Sequence, residues 1–386
     1  MRRSMRSILT ATAAAALLLP LCGVSAAYAS PPGHSNADKS ALRNQAPRDL
    51  AIGSAVWGQK QLMAYDPAAP TEYQQVLGAQ FSSLTPENDM KWDAVHPAPD
   101  VYDFASADAL VAYAKANHQQ VRGHTLLWHS QNPAWVTEAS KTWTCDQARD
   151  VLEDHIRTVV GHFKGEIYEW DVANEIFQDT WDNGGVKLRT EANPFFKACS
   201  DDPVALLEDA FRWAHDADPD AVLFLNDYNA EGINEKTDAY YALAQRMLAD
   251  GTPLGGFGAQ AHLSLQYGFD TTLQANFERF AALGLQVAVT EADVRIPLLE
   301  GETGPTPEQV ATQAERYDGL LQACLNVKAC SSFTVWGFPD ANSWVPDVFP
   351  GEGWATIFED DYSPKPAFDA MLESLHDATP GTSPRR

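Results

Sequence analysis

Two glutamates in this chain stand at the ends of apolar runs, in positions where a carboxyl group can work. The run Ile167-Tyr-Glu-Trp-Asp-Val-Ala-Asn-Glu175 stops on an amide and a carboxylate side by side, and Gln286-Val-Ala-Val-Thr-Glu291 stops on a second carboxylate. One carboxyl group that keeps a proton and one that gives it up can act on a bond placed between them, the first as acid and the second as nucleophile or as base towards water. A lone Glu after a strand more often meets a helix N-terminus than a substrate. The case therefore rests on the pair and on what surrounds it.

Residues at strand ends need a repeating scaffold to bring them together. Short apolar runs recur at Leu50–Val56, Phe81–Leu84, Gln120–Leu126, Ile167–Val172, Val222–Leu225, Gly256–Ala261, Gln286–Thr290 and Phe333–Trp336, eight in all. Between them, Ala107–His118, Asp146–Phe163, Pro203–Asp216, Asn234–Leu248, Thr271–Leu283 and Pro307–Leu325 carry apolar residues at helical spacing, several with a cap or a proline at the start. Eightfold alternation with no linker predicts an α/β fold, a single (β/α)8 TIM barrel, over an open doubly wound sheet. Such barrels place their chemistry at the C-terminal lip of the strands. The glycines of Gly255-Gly-Phe-Gly258 are not followed by a helix start, so they read as an entry into the sixth strand and not as a dinucleotide loop.

The lips carry a consistent set of side chains. Glu87, Asn88 and Lys91 follow the second run, His124 and Trp128 the third, Asn174 and Glu175 the fourth, and Tyr228 and Asn229 the fifth. Gln260 and His262 follow the sixth, Glu291 and Asp293 the seventh, and Trp336 with Trp344 the eighth. Core positions avoid these types, so their recurrence points to a binding surface. Aromatic faces beside amides and charged donors suit a sugar, whose C–H faces stack on rings while its hydroxyls need directional partners. Cleavage of a glycosidic bond then needs the two carboxyl groups, and strands four and seven lie on opposite sides of a barrel mouth. Lys91 and Glu87 taken alone would read as a surface ion pair. His129 reads as a loop-holding histidine, and Trp57, Trp135, Trp143, Trp181 and Trp213 as packing.

Five stretches together resemble glycoside hydrolase family 10, the barrel-fold endo-β-1,4-xylanases. They are Thr85-Pro-Glu-Asn-Asp-Met-Lys-Trp92, Arg122-Gly-His-Thr-Leu-Leu-Trp-His129, Trp170-Asp-Val-Ala-Asn-Glu175, Val289-Thr-Glu-Ala-Asp293 and Thr334-Val-Trp-Gly337, and the likeness runs from about residue 48 to 375. The resemblance implies endo-acting, retaining hydrolysis of β-1,4-xylosidic bonds by double displacement, with Glu175 as general acid/base and Glu291 as nucleophile. Their carboxyl groups would then lie about 5–5.5 Å apart. It further implies that Asn174 binds the 2-hydroxyl of the sugar being cleaved, that His262 hydrogen-bonds the nucleophile and that Asp293 orients His262. Glu87, Asn88, Lys91, His124, Trp128 and Gln260 match sugar-binding positions on the non-reducing side, Trp336 and Trp344 roof the site, and Tyr228 with Asn229 serves the leaving-group side. Ala173, Ala261 and Ala292 stand where the family more often has a larger apolar residue, a Ser and a Leu. A β-1,4-glucanase or other β-glycosidase on the same barrel is the alternative enzyme, and a barrel that binds polysaccharide without cutting it is the alternative of another class.

The rest of the 386 residues bounds the setting. Arg2, Arg3 and Arg6, an apolar segment from Ile8 to Leu21, and Ala27-Tyr28-Ala29 have the form of a secretory signal peptide over residues 1–29. A flexible leader over 30–47, the catalytic barrel over 48–376 and a disordered tail over 377–386 are expected to follow, with no appended carbohydrate-binding module. Without the signal, 24 basic residues face 52 acidic ones, a charge of −28 that disfavours nucleic acid and anionic membranes as partners. The expected partner is xylan or a xylo-oligosaccharide, acted on outside the cell by a monomer with no cofactor and no metal. Cys145, Cys199, Cys324 and Cys330 remain, an even number that favours two disulfides in an exported protein. Three pairings are possible; Cys324 with Cys330 across a short loop is favoured, and hence Cys145 with Cys199.

Overall fold

The eight runs become the strands of a closed parallel barrel in a computed structural model that describes residues 39–179, 185–298 and 304–378. The strands are β1 (Ala51–Val56), β2 (Ser83–Pro86), β3 (Gln120–Leu127), β4 (Ile167–Asn174), β5 (Val222–Asp227), β6 (Gly256–Ala259), β7 (Gln286–Pro297) and β8 (Cys330–Val335). Each pairs in parallel with the next, and β8 closes on β1 with Ala51 opposite Ser332 and Ile52 opposite Phe333. The expected single (β/α)8 barrel is thus the observed fold. The signal-peptide segment lies outside the described residues.

Among the described residues, eight helices of nine or more residues follow the strands: α1 (Glu72–Gln80), α2 (Ala105–Ala116), α3 (Cys145–His162), α4 (Pro203–Ala217), α5 (Glu235–Ala249), α6 (Leu273–Ala281), α7 (Pro307–Leu325) and α8 (Pro366–Ala378). Thr71, Thr144, Asn234 and Thr306 cap four of them with reciprocal side-chain bonds to the third helical residue, which fixes where each helix leaves its loop. Inward stripes such as Leu152, Ile156, Val159 and Val160 of α3 are buried against the outer face of the strands. Burial of each such side chain contributes about 1.5–3 kcal/mol.

Inside the barrel the packing is polar. Arg122, wholly buried, pairs with Asp171 and Glu169 and lies 4.4 Å from the Phe224 ring, while Ser331 and Ser332 donate to Glu169. Burial opposes the Arg122 charge, but the two carboxylates outweigh it and push its pKa further up. On the outer face, Gly123 leaves room for the Trp170 ring, because a Cβ there would lie 2.2 Å from it.

Three local expectations are corrected. The leader over 30–47 is not irregular to its end: Leu42–Gln45 makes a helical turn, Leu42 is fully buried, and the Arg43 guanidinium donates to the carbonyls of Gly78 and His118, each at 2.7 Å. At the other end α8 runs on to Ala378, two residues into the segment read as tail. The second strand lies two residues later than expected, because Phe81 is spent on packing against Phe338 before pairing begins. The disulfides are Cys145–Cys199 and Cys324–Cys330. Loop closure over the 54-residue separation of the first constrains the unfolded chain by about 4 kcal/mol.

Candidate active site

Register shifts aim the lip residues. They fall between His124 and Leu127 where β3 meets β4, between Asp171 and Ala173 where β4 meets β5, and between Val289 and Ala292 where β7 meets β8. Such irregularities turn the following side chains relative to the ladder. Glu175 then takes a left-handed backbone, φ 54°, which costs a residue with a Cβ about 1–2 kcal/mol. Its N–H donates to the Asn226 carbonyl at 2.9 Å, and the N–H groups of Glu87, Glu291 and Trp336 likewise donate at 2.9 Å to Val56, Gln260 and Ala292 on neighbouring lips. The backbone under each side chain is fixed from the adjacent unit.

A line of amides joins the two glutamates. The Asn226 amide donates to Glu291 Oε1 at 2.7 Å and to Asn174 Oδ1 at 2.9 Å, while its own oxygen accepts from Thr290 at 2.7 Å. Gln260 donates to Asn174 Oδ1 at 3.2 Å and to Glu175 Oε1 at 3.1 Å, and Asn174 donates to Glu175 Oε1 at 3.2 Å. The Trp128 indole donates to Glu175 Oε2 at 2.8 Å. Gly258 makes room for this line, since a Cβ there would sit 2.5 Å from Asn226 Oδ1.

Glu291 has a charged partner. Beyond the barrel lip β7 continues and pairs with His262–Ser264, which sets His262 opposite Asp293. Nδ1 of His262 lies 2.8 Å from Asp293 Oδ2 and Nε2 lies 3.2 Å from Glu291 Oε2. Burial alone would push the ring down, but Asp293 and Glu291 outweigh it and hold its pKa up at about 10, so both nitrogens donate at neutral pH. Burial likewise pushes Glu291 up, and the His124 and His262 rings overcome it, leaving the carboxyl below its ordinary range. Trp344 donates to Asp293 Oδ2 at 2.8 Å and so fixes the carboxylate behind the histidine.

Lys91, Asn88 and Gln131 form one side of the mouth. The Lys91 ammonium donates to Gln131 at 2.7 Å and to Asn88 at 3.2 Å, and sits 4.8 Å from the centre of the Trp128 ring. Burial lowers its pKa against the pull of Glu291, Glu87 and Glu175. Other residues of the same motif are structural. Asp89 accepts from the N–H groups of Gly58 and Gln59 on the first lip, at 2.6 and 2.8 Å, and the Trp92 indole donates to the Leu126 carbonyl at 2.6 Å. On the opposite side Tyr228 donates to Asp179 at 2.5 Å and accepts from Arg189 at 2.6 Å. The Lys236 ammonium lies 3.9 Å from the Tyr228 ring and bonds Asp227 at 2.7 Å. Burial pushes Asp227 up to about 7 despite that cation.

These groups surround a cavity of about 1050 Å³. Glu87, Asn88, Lys91, His124, Trp128, Asn174, Glu175, Tyr228, Asn229, Gln260, His262, Glu291, Trp336 and Trp344 all line it, whereas Asp293 stands behind His262. His129, set aside from the sequence, also lies in the wall, its Nδ1 3.9 Å from Glu175 Oε2 and without a hydrogen bond. Trp135 and Trp143 pack on the core as expected, and Trp181 lies outside the described residues. Sequence reasoning gave no role to Asn226, Gln131, Asp179, Arg189 or Lys236. Asn226 stood at the end of the fifth run and could have been found there; the others sit in loops or a first helical turn, where polar residues are ordinary. Among the described residues no three His, Cys, Asp or Glu are grouped to hold a metal ion.

An ionised carboxylate held by a cation and an amide, and a second carboxyl joined to it across a roofed, aromatic-walled cavity, form the equipment of a barrel hydrolase that works by paired carboxyl groups. The family model for Glycosyl hydrolase family 10 matches residues 42–374, so the chain belongs to that family. It is 38% identical over 307 residues to endo-1,4-beta-xylanase B of Thermotoga neapolitana, covering 79% of this chain and 84% of the relative. Native xylanase 10B of Thermotoga maritima superposes with a TM-score of 0.79 at 39% identity, over 87% of this chain and 98% of that one. Xylanase 10B of Thermotoga petrophila, solved in complex with xylobiose, gives 0.78 at 38% identity, over 87% and 97%.

Proposed function

We propose that this protein is a retaining endo-1,4-β-xylanase in which Glu175 is the general acid/base and Glu291 the nucleophile. The observation that carries the assignment is the bonding of Glu291: Asn226 on one oxygen and the doubly donating His262 on the other keep it ionised inside a buried site. In the first step a Glu291 oxygen bonds the anomeric carbon, the bond from that carbon to the glycosidic oxygen breaks, and the departing oxygen takes the proton of Glu175. A glycosyl ester of inverted configuration results. In the second step Glu175 takes a proton from water, the water oxygen bonds the anomeric carbon, and the ester bond returns its electrons to Glu291. Two inversions restore the β configuration. Asn174 meets the 2-hydroxyl, where a hydrogen bond strengthens as positive charge develops on the sugar ring.

The substrate class rests on the four walls of the catalytic subsite. Lys91, Trp128, Trp336 and Trp344 line the same cavity as the carboxyl pair, and on this reading, which the family resemblance implies, they crowd the catalytic subsite against the hydroxymethyl group that distinguishes glucose from xylose. Xylan should be hydrolysed well above cellulose under matched conditions; comparable turnover of cello-oligosaccharides would transfer the assignment to a β-1,4-glucanase. The substrate-binding roles are those the family resemblance implies, with Glu87, Asn88, Lys91, His124, Trp128 and Gln260 on the non-reducing side and Tyr228 with Asn229 towards the leaving group, and the lining of one cavity by all of them supports the reading. The enzyme acts as an exported monomer that needs neither nucleic acid nor membrane. Two disulfides suit an oxidising compartment, and no described helix is long and apolar enough to cross a membrane.

A further inference from the structure

We infer that Arg189 is a positioning residue for proton transfer, holding the peptide of Glu175 so that its carboxyl group meets the leaving oxygen. This rests on the assignment of Glu175 as the acid. Arg189 Nε donates to the Glu175 carbonyl at 2.9 Å, and its terminal nitrogen donates to the Tyr228 hydroxyl at 2.6 Å. The left-handed backbone of Glu175 turns that carbonyl away from the strand ladder, where a β carbonyl would find its partner in the next strand. The N–H of the same residue is held by Asn226, so both sides of the turn are tied, one by β5 and the other by a guanidinium.

Arg189 is itself anchored. Its N–H donates to the Ile176 carbonyl at 2.8 Å, Phe177 bridges Leu188 in the antiparallel sense, and its carbonyl accepts from Asn193 at 2.9 Å. Its side chain is nearly buried and faces Asp179 at 3.5 Å. Burial opposes the charge, but the groups around it, Tyr228, Asp227, Asp179 and Glu175, hold it firmly protonated. One planar fork thus links the backbone of the acid to the ring that walls the leaving-group side. Lysine has one nitrogen and cannot make both bonds in that geometry.

A positioning role for Arg189 differs measurably from mere support of the fold. If it sets the reach of the acid, its loss must cost most where the leaving group needs a proton. The second-order rate constant kcat/KM reports glycosylation and should be measured for Glu175→Ala, Arg189→Met and Arg189→Lys on aryl β-xylobiosides of graded leaving-group acidity. Glu175→Ala sets the scale, with heavy loss on phenyl and little on dinitrophenyl leaving groups. Arg189→Met is expected to lose about tenfold to hundredfold on the phenyl substrate and less than about threefold on the dinitrophenyl one. Arg189→Lys should show the same slope with a smaller loss, and it reads the effect if the Met variant does not fold. An equal loss on every leaving group, or none, overturns the positioning role. If Glu175→Ala itself shows no leaving-group dependence, what fails is the assignment of Glu175.

Discussion

Nε2 of His262 lies 3.2 Å from Oε2 of Glu291, and with its other nitrogen on Asp293 the ring is charged when it makes that contact. A buried carboxylate otherwise rises in pKa, because burial penalises its charged form. The histidine therefore decides how acidic the medium can become before Glu291 loses its charge.

His262→Gln is expected to move the acid limb of the kcat/KM profile to higher pH, since Glu291 loses a cation that lowers its pKa. At neutral pH the variant should lose about tenfold to hundredfold, the worth of one charge-assisted hydrogen bond of about 1.5–3 kcal/mol. Initial rates on a soluble xylo-oligosaccharide across the pH range read both effects.

The same contact predicts alkaline sensitivity of the fold. The folded pKa of His262 is raised to about 10, above the unfolded value, so its contribution is fully present below the unfolded pKa of about 6.5 and is lost as pH rises through the folded one. Denaturant midpoints of the native enzyme should fall between those two values. In His262→Gln that part of the fall should be missing.

Arg122→Met tests the polar filling of the barrel. It would leave Glu169 and Asp171 buried without their cation, at a cost of about 3–5 kcal/mol, read as a lowered denaturant midpoint. The same substitution should also reduce activity, because Asp171 holds His124 at 2.9 Å and His124 lowers the pKa of Glu291.

The barrel was legible because its alternation is a local property: apolar strand runs and capped helical stretches each announce themselves within a dozen residues. α1 and α8 were not among the expected helices, and in α1 the buried face includes Gln74, which answers the Gln61 carbonyl at 2.7 Å in place of an apolar neighbour. The lip residues were legible because their types are costly in a core. Their connections were not, since the line from Glu291 through Asn226 and Asn174 to Glu175 crosses β7, β5 and β4, strands that tertiary pairing and the curvature of the sheet bring together and no local run announces. Arg122 stood within a quoted motif, but its buried ion pairs gave no signal, because the two acids that face it lie on the next strand. Leu42 was passed over for a similar reason: a single leucine in a polar stretch has no period, and the core that buries it, like the Gln80 amide that accepts from its N–H at 3.0 Å, is distant in sequence.

The central claim is that Glu291 attacks and Glu175 serves twice, which fixes the configuration of the product. Proton NMR of the first reducing end released from a xylo-oligosaccharide, recorded before mutarotation, tests it most directly. The account predicts the β anomer, with no signal from the same reaction when Glu291→Ala replaces the native enzyme. A first-formed α anomer would contradict double displacement and the roles assigned to both glutamates.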